Sequence, residues 1–156
     1  MIMKSEKNKY DILVTRLTLA ILVFTLVFYA FYWFKMPDMI PMHYNLSGQI
    51  DRWGSKYESL FIPLGMIVLY VFLAFVEKKP SLWNTGVKIT PENQQRIYPI
   101  LLHFICTTRL IIMLFFAYMM FCTLLAMPLG KWFMVGWILA LAADFIFWFY
   151  LLFKAR

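Results

Sequence analysis

His43, Asn45, Asp51 and Lys56 stand within residues 43–56 of a chain that is otherwise mostly apolar. An imidazole, a carboxamide, a carboxylate and an ammonium this close in sequence can ligate a metal ion or pass protons among themselves. One histidine and one aspartate, however, fall below the usual ligand count of a zinc site. No serine or cysteine nucleophile with a convincing base accompanies them. The residue types favour a hydrogen-bonded loop or a recognition surface, with no metal or cofactor expected. A membrane-embedded enzyme or metal site using His43 and Asp51 is the alternative. Deeper in the chain, Arg109 and Asp144 each lie inside an apolar run. An isolated charge there costs at least ~2.5–3.5 kcal/mol. An intramembrane ion pair between the two is therefore expected, with His103 near it and a proton relay as the functional alternative.

The elements that must position these groups follow from composition. Of 156 residues, 63% are hydrophobic and only 15% charged, whereas a soluble domain charges about a quarter of its residues. The chain reads as an all-α integral membrane protein, a single domain with the lipid bilayer as its first partner. The net charge of +7 has no basic helix or aromatic platform behind it, which argues against a nucleic-acid partner. Cys106 and Cys122 lie in one apolar run, too far apart on a helix to form a disulfide.

Four runs, about 12–34, 57–76, 100–127 and 132–153, approach or exceed the ~20 residues of a spanning helix. Lys4, Lys7, Lys9 and Arg16 precede or open the first span. Lys78, Lys79, Lys88 and Arg96 lie between the second and third, and Lys154 and Arg156 follow the fourth. The other side holds only Lys35, Arg52, Lys56 and Lys131. Short cytoplasmic loops are enriched in Lys and Arg, so both termini are expected inside and residues 36–56 outside, as an ordered extracellular loop. Ser55 and Glu58 form a capping-box pattern that starts the second helix, and Thr90–Pro91 opens the third. The short "MPLGK" connection makes the third and fourth spans antiparallel neighbours. Gly136, Ala140 and Ala143 lie near one face with Asp144, which favours tight packing there.

Within the loop, Pro37 and Pro41 end the first helix and keep the chain extended. "NLSG" and "RWGS" read as turns, with Gly48 and Gly54 free to take positive φ. From Pro37 to Lys56 the stretch reads P-x-x-I-P-x-H-x-N-x-x-G-x-x-D-x-x-G-S-K. It closely resembles a small bacterial membrane domain of unknown function that also forms part of the SdpI-type immunity proteins. Those proteins protect a cell against the toxin of the sporulation-delaying-protein system and signal to a repressor. The resemblance implies a bacterial cytoplasmic membrane location and a loop site of His43, Asn45, Gly48, Asp51, Gly54, Ser55 and Lys56, with no catalytic residue. The function expected is non-enzymatic: peptide-toxin immunity, signalling or an accessory role in a membrane complex. The partner is a peptide toxin or another membrane protein. An oligomer, including an oligomeric transporter component, is a further alternative.

Overall fold

Asn8 and Asp11 close a capping box at the start of the first helix. The Asp11 amide donates to Asn8 Oδ1 at 3.0 Å, and the Asn8 amide donates to Asp11 Oδ2 at 3.0 Å. In this computed structural model, which describes residues 7–83 and 86–156, that helix (α1) spans Lys9–Trp33. Lys4, one of the basic residues weighed above, lies outside the described residues. A second capping box, Ser55 with Glu58, starts a 3-10 turn over Lys56–Leu60 that runs into α2, Phe61–Glu77. The third and fourth helices are α3, Gln94–Leu124, and α4, Phe133–Ala155. All four, the second counted from Lys56 through its 3-10 turn, are long and apolar enough to cross a membrane.

The α3 entry differs slightly from its pattern. The Thr90 amide donates to Asn93 Oδ1 at 2.8 Å, so Asn93 takes the reach-back role that Glu58 has in the other box. Thr90 supplies its hydroxyl to Glu92, which holds that carboxyl below the usual range. The far end of α3 also moves: the helix stops at Leu124 rather than continuing to Met127, because Ala126 takes a positive φ of 52°.

α3 is the central element and packs on α1, α2 and α4, whereas among the described residues α4 packs on no other helix. Contacts pair Phe104 with Phe149, Thr107 with Asp144 and Phe115 with Phe133, so partner numbers fall as α3 numbers rise. These two helices are antiparallel neighbours, as the short connection requires. The tight packing expected of Gly136, Ala140 and Ala143 does not occur; all three are exposed, and a Cβ at Gly136 would meet nothing within 4 Å.

The buried face of α1 recurs every three or four residues: Asp11, Val14, Thr18, Leu22, Thr25 and Tyr29. Half of that stripe is polar. Thr18 and Thr25 satisfy their hydroxyls within the helix, donating to Val14 O and Ile21 O at 2.7 Å each. Leu22 and Tyr29 join Met36, Ile40, Met66, Met113, Met120 and Leu124 in the main apolar core. A smaller cluster of Ile97, Leu101 and Leu152 ties α3 to α4 at the opposite end, beneath Trp83, Val87 and Ile89.

The expected all-α architecture needs one correction. The segment between α1 and α2 is a β-hairpin, with β1 at Met39–Tyr44 antiparallel to β2 at Ile50–Ser55. Register shifts flank His43, which marks an irregularity in β1. A two-stranded hairpin is marginal alone in water. Here Ile40, 1% exposed, plugs it into the helical core, and β1 lies against α3.

Candidate functional site

The hairpin turn is built by Asn45. Its Oδ1 accepts the amides of Ser47 and Gln49 at 2.9 and 3.0 Å, and its carbonyl accepts the Gly48 amide at 2.8 Å. Gly48 sits at φ +72°, and a Cβ there would stand 2.4 Å from Gly130 O. Only glycine fits, because the turn presses against the α3–α4 connection. The Leu129 amide donates to Gly48 O at 2.8 Å, and Tyr118 donates its hydroxyl to Leu129 O at 3.1 Å. Tyr44 lies 3.4 Å from the Thr123 hydroxyl, and burial pushes its phenol above the ordinary range.

The base of the hairpin is closed by Lys56. Its amide donates to Asp38 O at 2.9 Å, and its ammonium sits 3.0 Å from Asp38 Oδ1. Ser59 donates its hydroxyl to Lys56 O and meets the Tyr29 hydroxyl at 2.8 Å, which binds this corner to α1. Gly54 is not a turn residue as expected. It lies inside β2 with no positive φ, and it allows close approach: a Cβ would be 2.6 Å from Glu58 Oε1 and 2.8 Å from Met42 Cγ, so those two side chains would have to shift.

Five motif residues, Asn45, Gly48, Gly54, Ser55 and Lys56, thus hold the hairpin. His43 and Asp51 differ. Their side chains pair across the strands, Nδ1 to Oδ1 at 2.5 Å, and stay 62% and 40% exposed. Beside them Arg52 pairs with Glu58 at 3.0 Å, also in the open. The His43–Asp51 dyad supplies two donors for a metal. No group of three His, Cys, Asp or Glu residues able to hold one occurs among the described residues.

The second polar region lies at the other end of the bundle, and there the expected Arg109–Asp144 pair is overturned. Arg109, 1% exposed, places Nη1 2.7 Å from Glu77 Oε2, donates Nη2 to Thr15 at 3.1 Å, and packs its guanidinium over the Tyr70 ring. Lys7 meets the same Glu77 carboxylate and also the Thr15 hydroxyl. The Glu77–Arg109 contact is electrostatic rather than well directed. Neither Glu77 Oε2 nor Arg109 Nε has a geometrically sound hydrogen bond among the described residues. Asp144 takes its donors from uncharged groups instead. Thr107 and Trp148 serve Oδ1 at 2.7 and 2.9 Å, and Thr108 serves Oδ2 at 2.7 Å. Thr107 has one proton for three acceptors within 3.1 Å, His103 O, Phe104 O and Asp144 Oδ1, while accepting from Trp148 Nε1. His103 pairs with Asp11 at 2.5 Å and meets Asn8 at 3.3 Å.

Equal depth on neighbouring helices leaves the direction around each helix axis open. Arg109 points towards α1 and α2, whereas Asp144 bonds Thr107 and Thr108 on the α3 face that α4 covers. Asp11, Glu77 and Lys7 were missed as members of this network. The signal was available in α1, where Asp11, Thr18 and Thr25 share the spacing of one helical face.

Comparison with known proteins matches residues 20–67 to a family described as a domain of unknown function, DUF1648. No curated protein and no solved structure matches the chain. The matched stretch holds the second half of α1, the whole hairpin and the first turns of α2. Over those residues the chain is similar to a small domain of unknown function, and the stretch is built into a bundle of four helices able to cross a membrane.

Proposed function

We propose that this chain is a non-enzymatic, multi-pass protein of the bacterial cytoplasmic membrane that recognises a partner through its hairpin. Both termini lie on the cytoplasmic side and the hairpin outside, which the distribution of Lys and Arg supports. The observation that carries the reading is the exposed His43–Asp51 dyad. The surrounding motif residues are engaged in turn, cap or clamp, whereas this pair stands on the surface in a frame that does not need it. Solvent-exposed ion pairs contribute little to stability, on the order of 0–1 kcal/mol. A preorganised donor–acceptor pair on a rigid support is instead suited to binding. The resemblance to SdpI-type proteins supplies the concrete form, immunity against a peptide toxin, with signalling to a repressor or a role in a membrane complex as related forms.

The test separates folding from action. His43→Ala, Asp51→Ala, Asn45→Ala and Lys56→Ala are compared for abundance in the membrane and for protection or signalling in cells. The first two are expected to remain abundant and lose activity. Asn45→Ala and Lys56→Ala are expected to lose abundance with activity. If His43→Ala and Asp51→Ala keep full activity, the dyad is not the site of action.

A further inference from the structure

Arg16 is an exposed cation set in an apolar surface. Ile12, Leu13, Leu17, Leu19 and Ala20 around it are exposed as well, the composition of a lipid-facing helix. Unlike Arg109, it has no partner among the described residues. At 3.6 residues per turn it lies opposite Thr18 and Thr25, which belong to the stripe buried against the other helices. Lys9 falls on the same side of α1, two turns earlier, and is likewise exposed and without a partner among the described residues. Depth decides what can meet these charges. α1 has 25 residues, which is about 37 Å of helix against about 30 Å of hydrocarbon. With Trp33 at the far interface, the near boundary falls about 20 residues back, beside Leu13. Lys9 then stands about 6 Å outside the hydrocarbon and Arg16 about 4–5 Å inside it. A helical side chain leans towards the N-terminus, so Arg16 snorkels back to that boundary. The two cations converge on the level of lipid phosphates.

We propose that Lys9 and Arg16 hold the phosphate of an anionic phospholipid, with one of its acyl chains in the groove below them. The proposal rests on the bundle crossing a membrane and is independent of what the hairpin recognises. A guanidinium just inside hydrocarbon is costly unless paired, and a phosphate accepts two parallel N–H bonds from it. The groove begins one turn further in, at Ala20. It measures about 440 Å³ and runs between Phe24 and Phe28 of α1 and Leu114, Ala117 and Phe121 of α3. Net charge selects the lipid class. Lys78, Lys79, Lys88, Arg96 and Lys154 are exposed at the same end, where Glu92 is the only exposed Asp or Glu among the described residues. That excess favours a headgroup with net negative charge over a zwitterionic one. A carboxylate on a partner's helix is the other way to pair Arg16. The lipid is favoured because Arg16 reaches the phosphate layer without one.

The experiment titrates the full chain in detergent with phosphatidylglycerol, phosphatidylcholine and diacylglycerol, and counts lipid-bound species by native mass spectrometry. Phosphatidylglycerol is expected to bind most tightly and diacylglycerol, which has no phosphate, most weakly. Arg16→Gln weakens phosphatidylglycerol binding by about tenfold and Lys9→Gln by about fivefold, whereas Arg16→Lys and Lys154→Gln cost about threefold or less. Ala20→Phe, which fills the head of the groove without touching a charge, also weakens it, by about threefold. The headgroup comparison needs no variant, so a misfolded Arg16→Gln protein leaves the test intact. Equal binding of phosphatidylglycerol and diacylglycerol, or unchanged binding by a folded Arg16→Gln protein, overturns the inference. So does displacement of the lipid by an equal concentration of inorganic phosphate, which would make this a site for free anions. A photo-crosslinking residue in place of Leu13, which is exposed between the two cations, is expected to label lipid in native membranes. A discrete protein adduct would assign Arg16 to a partner's carboxylate and also overturn the inference. If Arg16→Gln loses the lipid while His43→Ala and Asp51→Ala keep full activity in cells, the lipid site stands and the hairpin reading falls.

Discussion

Arg109 is the residue on which the polar end of the bundle depends. It joins α3 to Thr15 of α1 and Glu77 of α2 while almost wholly buried. Removing either partner of a buried pair strands a charge, at a cost of roughly 3–5 kcal/mol. Arg109→Leu and Glu77→Leu are each expected to destabilise by that order, and the double variant to recover a good part of the loss. Lys7 keeps partial access to solvent and loses less when Glu77 is replaced. Arg109→Leu with Asp144→Leu should instead show a clearly smaller coupling than Arg109→Leu with Glu77→Leu, because the two residues make no direct contact. Reversible unfolding in detergent, read as a double-mutant cycle, distinguishes the two. Coupling of Arg109 to Asp144 as large as its coupling to Glu77 would refute the arrangement described above. A buried charge in an apolar run announces from sequence that it has a partner, but which one depends on where around the helix it points.

At the scale of elements, the hairpin and the α3–α4 connection act as one unit because two glycines touch. Gly48→Ala both strains a positive φ and drives Cβ to within 2.4 Å of Gly130 O. An expected loss of about 1–3 kcal/mol follows, with the hairpin lifted off Leu129. Limited proteolysis should then cut within residues 45–49 faster than in the parent; unchanged cleavage would mean the contact does not hold the turn. α4 is the more weakly held helix, since among the described helices it packs on α3 alone and Asp144 supplies its main polar clasp. Asp144→Leu is expected to weaken α3–α4 association by about 1–2 kcal/mol, as for interhelical hydrogen bonds in membranes. A cysteine pair placed across the two helices reports this as slower disulfide formation. Caps and spans were largely legible from sequence, because side-chain oxygens three residues before a carboxylate and long apolar runs are local patterns. The hairpin was legible only as a turn at "NLSG" between extended pieces. Its strand pairing includes Pro41 and register shifts beside His43, which break the alternation that marks a strand.

For the molecule as a whole, the proposed sidedness rests on the Lys and Arg distribution and can be measured directly. A thiol at Ser47 is expected to react with an impermeant reagent in intact cells, and one at Ser81 to react only after permeabilisation. The reverse pattern would place the hairpin in the cytoplasm. Length and hydropathy determined from sequence alone that four helices form and can cross a membrane, since a run of apolar residues has few other stable fates. The same sequence determined where the polar segment lies and that its Asn, Gly and Pro restrain it. Tertiary structure alone decided which motif residues are scaffold and which are free. That distinction depends on whether Gly54 meets Met42, whether Lys56 reaches Asp38, and whether His43 and Asp51 are left at the surface. It also decided that Arg109 answers Glu77 rather than Asp144. Sequence spacing fixes depth along a helix axis, but direction around that axis is chosen by the packing of α3 against three different neighbours.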